Sequence, residues 1–296
     1  MSVLEKLYNL LPFKNIEKGL VNVIRINGAI GQGKNTSSAL ESTFKRAFFS
    51  YRKPEIVAIV INSPGGSAAQ SYLIANRIRQ LSEESKIPTI SFSEDMSASG
   101  GYMLLSAANE AYALNSSLVG SIGVIYSSFG GTNALDKLGI ERRVITAGTN
   151  KSFLDPFKPL QDKDKEVMEE ILKVNHDDFI NIVEKHREDK LVENHDLFKD
   201  IYTGRIFTGK VAKELGLIDG IDDIHSYFNK KFGDEYKLRE IKRELSLSDL
   251  RGSFGLGIES ITSPVLFQFQ SEKNDNSNSE MDNLLKILRN YFVYRN

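Results

Sequence analysis

Residues 56–85, IVAIVINSPGGSAAQSYLIANRIRQLSEES, decide the fold. The apolar run Ile56 to Ile61 has the length and β-branched content of a strand buried on both faces. Asn62-Ser63-Pro64-Gly65-Gly66 breaks it with turn residues. From Ser67 to about Ser85, Tyr72, Leu73, Ala75, Ile78 and Leu81 keep helical spacing. Strand, glycine turn and helix make the repeating unit of an α/β protein with a mostly parallel sheet, which gathers its ligands at the carboxyl ends of strands.

The same alternation extends in both directions. Strands are expected over Val21 to Ile26, Thr89 to Ser93, Ala111 to Leu114, Ile122 to Tyr126 and Arg143 to Thr146. A long helix beginning near Asp162 carries Met168, Ile171, Leu172, Phe179, Ile182 and Val183 on a stripe that needs a partner surface. Short helices over Thr208 to Leu215 and Asp222 to Phe232 add a peripheral helical layer. Ser271 to Glu280, SEKNDNSNSE, is too polar to repay its ordering entropy and reads as a linker. Beyond it Leu284, Leu285, Ile287, Leu288, Tyr291 and Phe292 form the stripe of an amphipathic tail helix. That stripe suits docking on the body or a sister subunit, or peripheral membrane contact. The expected organisation is an N-terminal segment at 1–19, one domain at 20–245, an irregular segment and linker at 246–280, and the tail helix at 281–296.

Composition excludes several classes. Lysine plus arginine total 38 against 39 acidic residues, so no net field draws in nucleic acid. The absence of cysteine removes disulfides and thiolate sites and fits a reducing compartment, with the cytoplasm as default. No uncharged run approaches the roughly 18 residues of a spanning helix, so no transmembrane segment is expected. No set of residues asks for a metal or cofactor.

Asp95-Met96-Ser97-Ala98-Ser99-Gly100-Gly101-Tyr102 lies between a strand and an apolar helix. A serine before two glycines at such a turn presents its hydroxyl beside exposed amides, as acyl transfer requires. A Gly65 or Gly66 amide together with the Gly100 amide would complete a two-donor oxyanion hole. The hydroxyl also needs a base, and His176, His186, His195 and His225 all fall in charged C-terminal surroundings and read as solvated. Lysine serves if burial strips its proton affinity. Lys151, after the Arg143 to Thr146 strand and the turn Ala147-Gly148-Thr149-Asn150, has the best local case among the lysines, although on local evidence alone a solvated loop lysine is the better explanation. Gly28-Ala29-Ile30-Gly31-Gln32-Gly33-Lys34-Asn35 nearly spells a phosphate loop but puts Asn35 where a hydroxyl must bind magnesium. A crotonase-type acyl-CoA enzyme and a non-catalytic scaffold also fit the glycine turns.

The ordered set of Asn62 to Gly66, Ser97 to Tyr102, Gly120-Ser121-Ile122-Gly123-Val124 and Thr146 to Lys151 resembles the signal peptide peptidase A and protease IV family of bacterial Ser-Lys peptidases. The likeness continues through Gly204-Arg205-Ile206-Phe207-Thr208-Gly209 and Gly216-Leu217-Ile218-Asp219, and is strongest to the short, single-repeat SohB-like members. The resemblance implies a Clp protease and crotonase-like spiral of ββα units. It implies Ser99 as nucleophile, Lys151 as general base, Ser121 orienting that lysine, and Gly66 with Gly100 as oxyanion donors. It further implies peptide substrates, signal-peptide remnants among them, no cofactor, and homo-oligomers in which neighbouring subunits complete the cleft.

Overall fold

The strand Ile56 to Ile61 is the middle of β2 (Lys53–Ser63), and β2 is central in an eight-stranded sheet. A computed structural model describes residues 16–242 except Glu188. The expected linker and tail helix, and nearly all of the N-terminal segment, lie outside the described residues. The other strands are β1 (Ile16–Asn27), β3 (Thr89–Ala98), β4 (Glu110–Ala113), β5 (Leu118–Gly120), β6 (Ile206–Thr208), β7 (Gly220–Ile221) and β8 (Lys237–Glu240). The sheet runs β6-β5-β3-β2-β1-β8, with β4 on β3 and β7 on β4, and only the β5–β6 pair is antiparallel. The fold is α/β, a mostly parallel sheet with helices between its strands.

The middle of β2, Ile56 to Ile61, is apolar throughout because helices cover one of its faces and an aromatic layer the other. Val57, Ile59 and Ile61 point into the larger core, against helices α1 (Ser37–Phe48), α2 (Ala68–Ser85) and α3 (Gly100–Ser106). Ile56, Ala58 and Val60 point the other way, against Phe92, Ile224 and Phe228. Truncating one of the isoleucines among them to alanine costs about 2–5 kcal/mol. The Ser67 hydroxyl caps α2, accepting from the Gln70 amide, and Lys86 ends it in a left-handed turn at φ 58°. Ile74, Ala75, Ile78 and Leu81 are its buried stripe, whereas Tyr72 and Leu73, expected on that stripe, are exposed.

β3 decides where the site forms. Its first half pairs with β4 (Ile90↔Glu110 to Ser93↔Ala113), its second half with β5 (Met96↔Leu118 to Ala98↔Gly120). The sheet therefore forks at β3, and the fork's end carries the turn into α3. Three more helices follow the excursion helix α4 (Thr132–Leu138): α5 (Asp162–Arg187), α6 (Gly209–Glu214) and α7 (Ile224–Phe232). The last residue of α5, Arg187, is fully buried. It donates to the Gly216 carbonyl and to Asp219 Oδ2 at 2.7 Å. Burial opposes ionisation of Asp219, but Arg187 and Lys190 outweigh it and hold the carboxyl below its usual range. This ion pair docks the long helix onto β4 and β7.

Two expected strands are absent. Among the described residues, Ile122 to Tyr126 and Arg143 to Thr146 have no ladder partner. Both are β-branched, but a strand needs a neighbour's hydrogen bonds, and the positive φ of Gly120 (102°) and Ser121 (55°) turns the chain out of the sheet. Ile125 and Ile145 are 83% and 100% exposed. Two histidines also differ from expectation: His176 is half-buried with Nε2 3.2 Å from the Ile122 carbonyl, and His186 is half-buried against Ser106 Oγ at 3.3 Å. Charged neighbours in α5 concealed that one side of the helix packs inward.

Candidate active site

Ser99 ends β3 and precedes α3, with φ 52° and ψ −123°, a combination that costs a non-glycine residue of order 1–3 kcal/mol. The strain is held from both sides. The Ser99 amide donates to the Gly120 carbonyl at 2.8 Å, and its carbonyl accepts from Tyr102 and Met103 in the first turn of α3. Such a turn lifts a hydroxyl clear of the sheet edge.

The second glycine turn meets the first. A methyl group on Gly65 would sit 2.7 Å from the Ser99 Cβ and 2.9 Å from the Gly100 nitrogen, so only glycine permits the approach. The Gly65 amide donates to Ser63 Oγ at 3.1 Å, and its carbonyl accepts from the Ile30 amide at 2.8 Å. Ser67 N–H donates to the Ile30 carbonyl at 3.0 Å, which makes Ile30 and Gly66 a parallel bridge. In that pattern the flanking groups of 65 and 67 face Ile30, and the Gly66 N–H points away from it. Gly100 is the first residue of α3, where an amide has no partner within the helix. Both glycines line the same cleft as Ser99.

That cleft has a volume of about 300 Å³. Val124, Ile125 and Tyr126 line it together with Met168, Leu172 and Phe179 of α5 and with Met103. The segment read as a strand is thus an apolar wall outside any ladder, held at Ile122, whose carbonyl accepts from the Gly204 amide at 3.1 Å, and Met168, Leu172 and Phe179 of the α5 stripe line the cleft. His176, in the same helix, pins the wall at Ile122; its four-residue offset from Leu172 was the signal in the sequence.

Ser121 follows Gly120 as Ser99 follows its ladder partner Ala98, so the two serines leave adjacent strands at the same level. The Ser121 amide donates to the Arg205 carbonyl at 2.8 Å. Lys151 lies elsewhere. It is exposed in a run of turns, its amide bonded to the Gly148 carbonyl, on an excursion that leaves the sheet after the cleft wall. It ends no sheet strand, contrary to expectation, because among the described residues Arg143 to Thr146 has no ladder partner. Among the described residues its amine contacts neither Ser99 nor Ser121. The excursion is fastened to itself, by Arg142 to Asp155 at 2.9 Å and by Arg142 over the Phe157 ring. Among the described residues no group of three or more His, Asp or Glu could hold a metal ion.

A model of peptidase family S49 matches residues 82–232. The chain is 43% identical over 246 residues to a Na(+)/H(+) antiporter NhaA of Brucella abortus (strain 2308), a match covering 81% of this chain and 33% of that protein. It is 31% identical over 208 residues to a putative protease of Synechocystis sp., covering 70% of this chain and 72% of the relative. The chain therefore spans about a third of the antiporter's length. Among solved structures it matches the 1510-N membrane-bound stomatin-specific protease at TM-score 0.49 and 17% identity, over 77% of this chain and 100% of that one. Among the described residues no helix is long and apolar enough to cross a membrane.

Proposed function

Since the chain belongs to peptidase family S49, we propose that it is a serine endopeptidase that works through an acyl-enzyme, with Ser99 as nucleophile and Lys151 as general base. The observation that carries this reading is the strained Ser99, held where the Gly66 and Gly100 amides line one cleft. Ser99 Oγ attacks the substrate carbonyl carbon while its proton passes to the neutral Lys151 amine. The oxyanion accepts from Gly66 and Gly100. Collapse breaks the C–N bond, and the leaving amine takes the proton back from the lysine. Water, deprotonated by the same lysine, then attacks the ester, releases the acid and restores Ser99. No cofactor is required.

A lysine in water, with a pKa of about 10.4, is almost wholly protonated near neutral pH, so a lysine base must be desolvated. The exposure of Lys151, together with exposed Ile140, Val144 and Ile145 on the same excursion, favours a homo-oligomer in which a neighbouring copy's excursion brings Lys151 to Ser99. Ser121, at the level of Ser99, is then placed to orient the arriving amine. The apolar cleft walls favour extended peptides with apolar side chains, among them signal-peptide remnants and other short or unfolded peptides. A crotonase-type acyl-CoA reaction would use the same two amides but leaves the strain at Ser99 without a purpose.

The test is hydrolysis of fluorogenic peptides with apolar residues before the reporter, comparing the native chain with Ser99→Ala at equal folded concentration. Cleavage by the native chain alone is expected. Equal cleavage by both would remove Ser99 from the mechanism.

A further inference from the structure

The glycine-rich stretch Gly28 to Asn35, so close to a phosphate loop in sequence, has no part in the chemistry above, and its contacts point to another task. Ile30 grips the peptide on each side of Gly66: its amide donates to the Gly65 carbonyl at 2.8 Å and its carbonyl accepts from Ser67 at 3.0 Å. Its side chain is 1% exposed and reaches the other glycine turn, since a methyl on Gly100 would lie 3.5 Å from the Ile30 Cδ1. One residue thus touches both oxyanion turns.

Ile30 is itself held by Asn35. The buried Asn35 side chain donates through Nδ2 to the Asn27 carbonyl at 2.7 Å and the Ala29 carbonyl at 3.1 Å. Its main-chain carbonyl accepts from the Gly31 amide at 2.9 Å. These three bonds close the loop on either side of Ile30. The side chain that spoils the phosphate-loop pattern is therefore the one that fastens the loop. Gly65 and Gly66, at φ 98° and 150°, hold conformations that glycine samples freely, so their direction has to be imposed from outside.

We propose that the Gly28 to Asn35 loop positions both oxyanion amides, with Ile30 and Asn35 as positioning residues that act through Gly66 and Gly100 and touch no substrate. The proposal rests on the oxyanion assignment above and deepens it. Its physical basis is that donors stabilise a developing oxyanion only when already aligned, and that misplacement by about 1 Å can cost on the order of 100-fold in rate.

Two variants test it. Asn35→Ala frees the loop; Ile30→Val removes only the Cδ1 methyl beside Gly100 and keeps the backbone bridge. Each is measured for kcat and KM on a fluorogenic peptide and for affinity toward a peptide aldehyde, whose adduct with Ser99 carries the oxyanion. We expect kcat to fall about tenfold in Asn35→Ala and about threefold in Ile30→Val, less than the loss of a whole donor, with KM within about twofold of native and aldehyde affinity falling in step with kcat. Folded variants that keep native kcat and aldehyde affinity would overturn the proposal, as would a lower kcat with aldehyde affinity unmoved. Should Asn35→Ala not fold, Ile30→Val decides alone. Absence of Ser99-dependent cleavage in the native chain would overturn the oxyanion reading and this proposal together; native cleavage with unmoved variants overturns this proposal only.

Discussion

The carboxyl edge of the sheet at residues 62–66 and 98–101 and the excursion at residues 124–161 are built in opposite ways. At the edge, two glycine turns pack within contact of each other, Ser63 and Ile30 bind the Gly65 peptide, and Ser99 is locked in a conformation it would not choose. On the excursion, helix α4 has no buried residue, Ile145 is wholly exposed, and Lys151 faces solvent. The proposed nucleophile and oxyanion donors are products of one chain's core. The proposed base sits on a part of the chain whose apolar surface the described residues leave uncovered.

Several changes would break or sharpen that contrast. Lys151→Ala should lower kcat by at least about 10³-fold while the thermal midpoint stays near native, because the residue is exposed among the described residues. Ile145→Asp should weaken self-association and reduce activity about tenfold or more at low protein concentration, recovering as concentration rises, with the circular dichroism of the sheet unchanged. The same pair of measurements on Arg187→Ala should give the reverse result. It removes the buried partner of Asp219 and of the Gly216 carbonyl and leaves Asp219 paired with the more exposed Lys190, and a loss of about 3–5 kcal/mol in denaturant-monitored stability is expected.

The smallest effect concerns acid. Burial, reinforced by the charges of Arg79, Lys185 and Arg187, pushes His186 down to about 4. An unfolded histidine titrates near 6.5, so between about pH 6.5 and 4 the unfolded chain binds the extra proton and stability falls as pH falls. The contribution is about 2 kcal/mol after solvent screening, and His186→Gln should flatten this part of a stability profile. A histidine shift by nuclear magnetic resonance near 6.5 would contradict the burial argument.

Much of the sheet edge was legible in the sequence because its signals are local. A buried strand, a glycine turn and a capped helix lie in consecutive residues from Ile56 to Ser85, and Ser99 repeats the pattern before α3. The excursion was misread because Ile122 to Tyr126 and Arg143 to Thr146 have strand composition, while strand formation depends on a neighbour that composition does not reveal. The pairing of β8 with β1, from Leu20↔Lys237 to Val23↔Glu240, spans almost the whole domain and left no local mark. The Gly28 to Asn35 loop only misses the phosphate-loop pattern in sequence, and nothing local shows the positioning role proposed for it, which depends on Ile30 lying beside Gly66 after the next strand.

The most direct measurement of the central claim, that Ser99 and Lys151 meet across two copies of the chain, is a mixing experiment. Ser99→Ala and Lys151→Ala are each inactive alone; unfolded together and refolded, or exchanged slowly at high concentration, they should regain peptidase activity, because a Lys151→Ala copy supplies Ser99 and its neighbour supplies Lys151. A mixture that forms mixed oligomers and stays as inactive as either variant would contradict the account and place the dyad within a single chain.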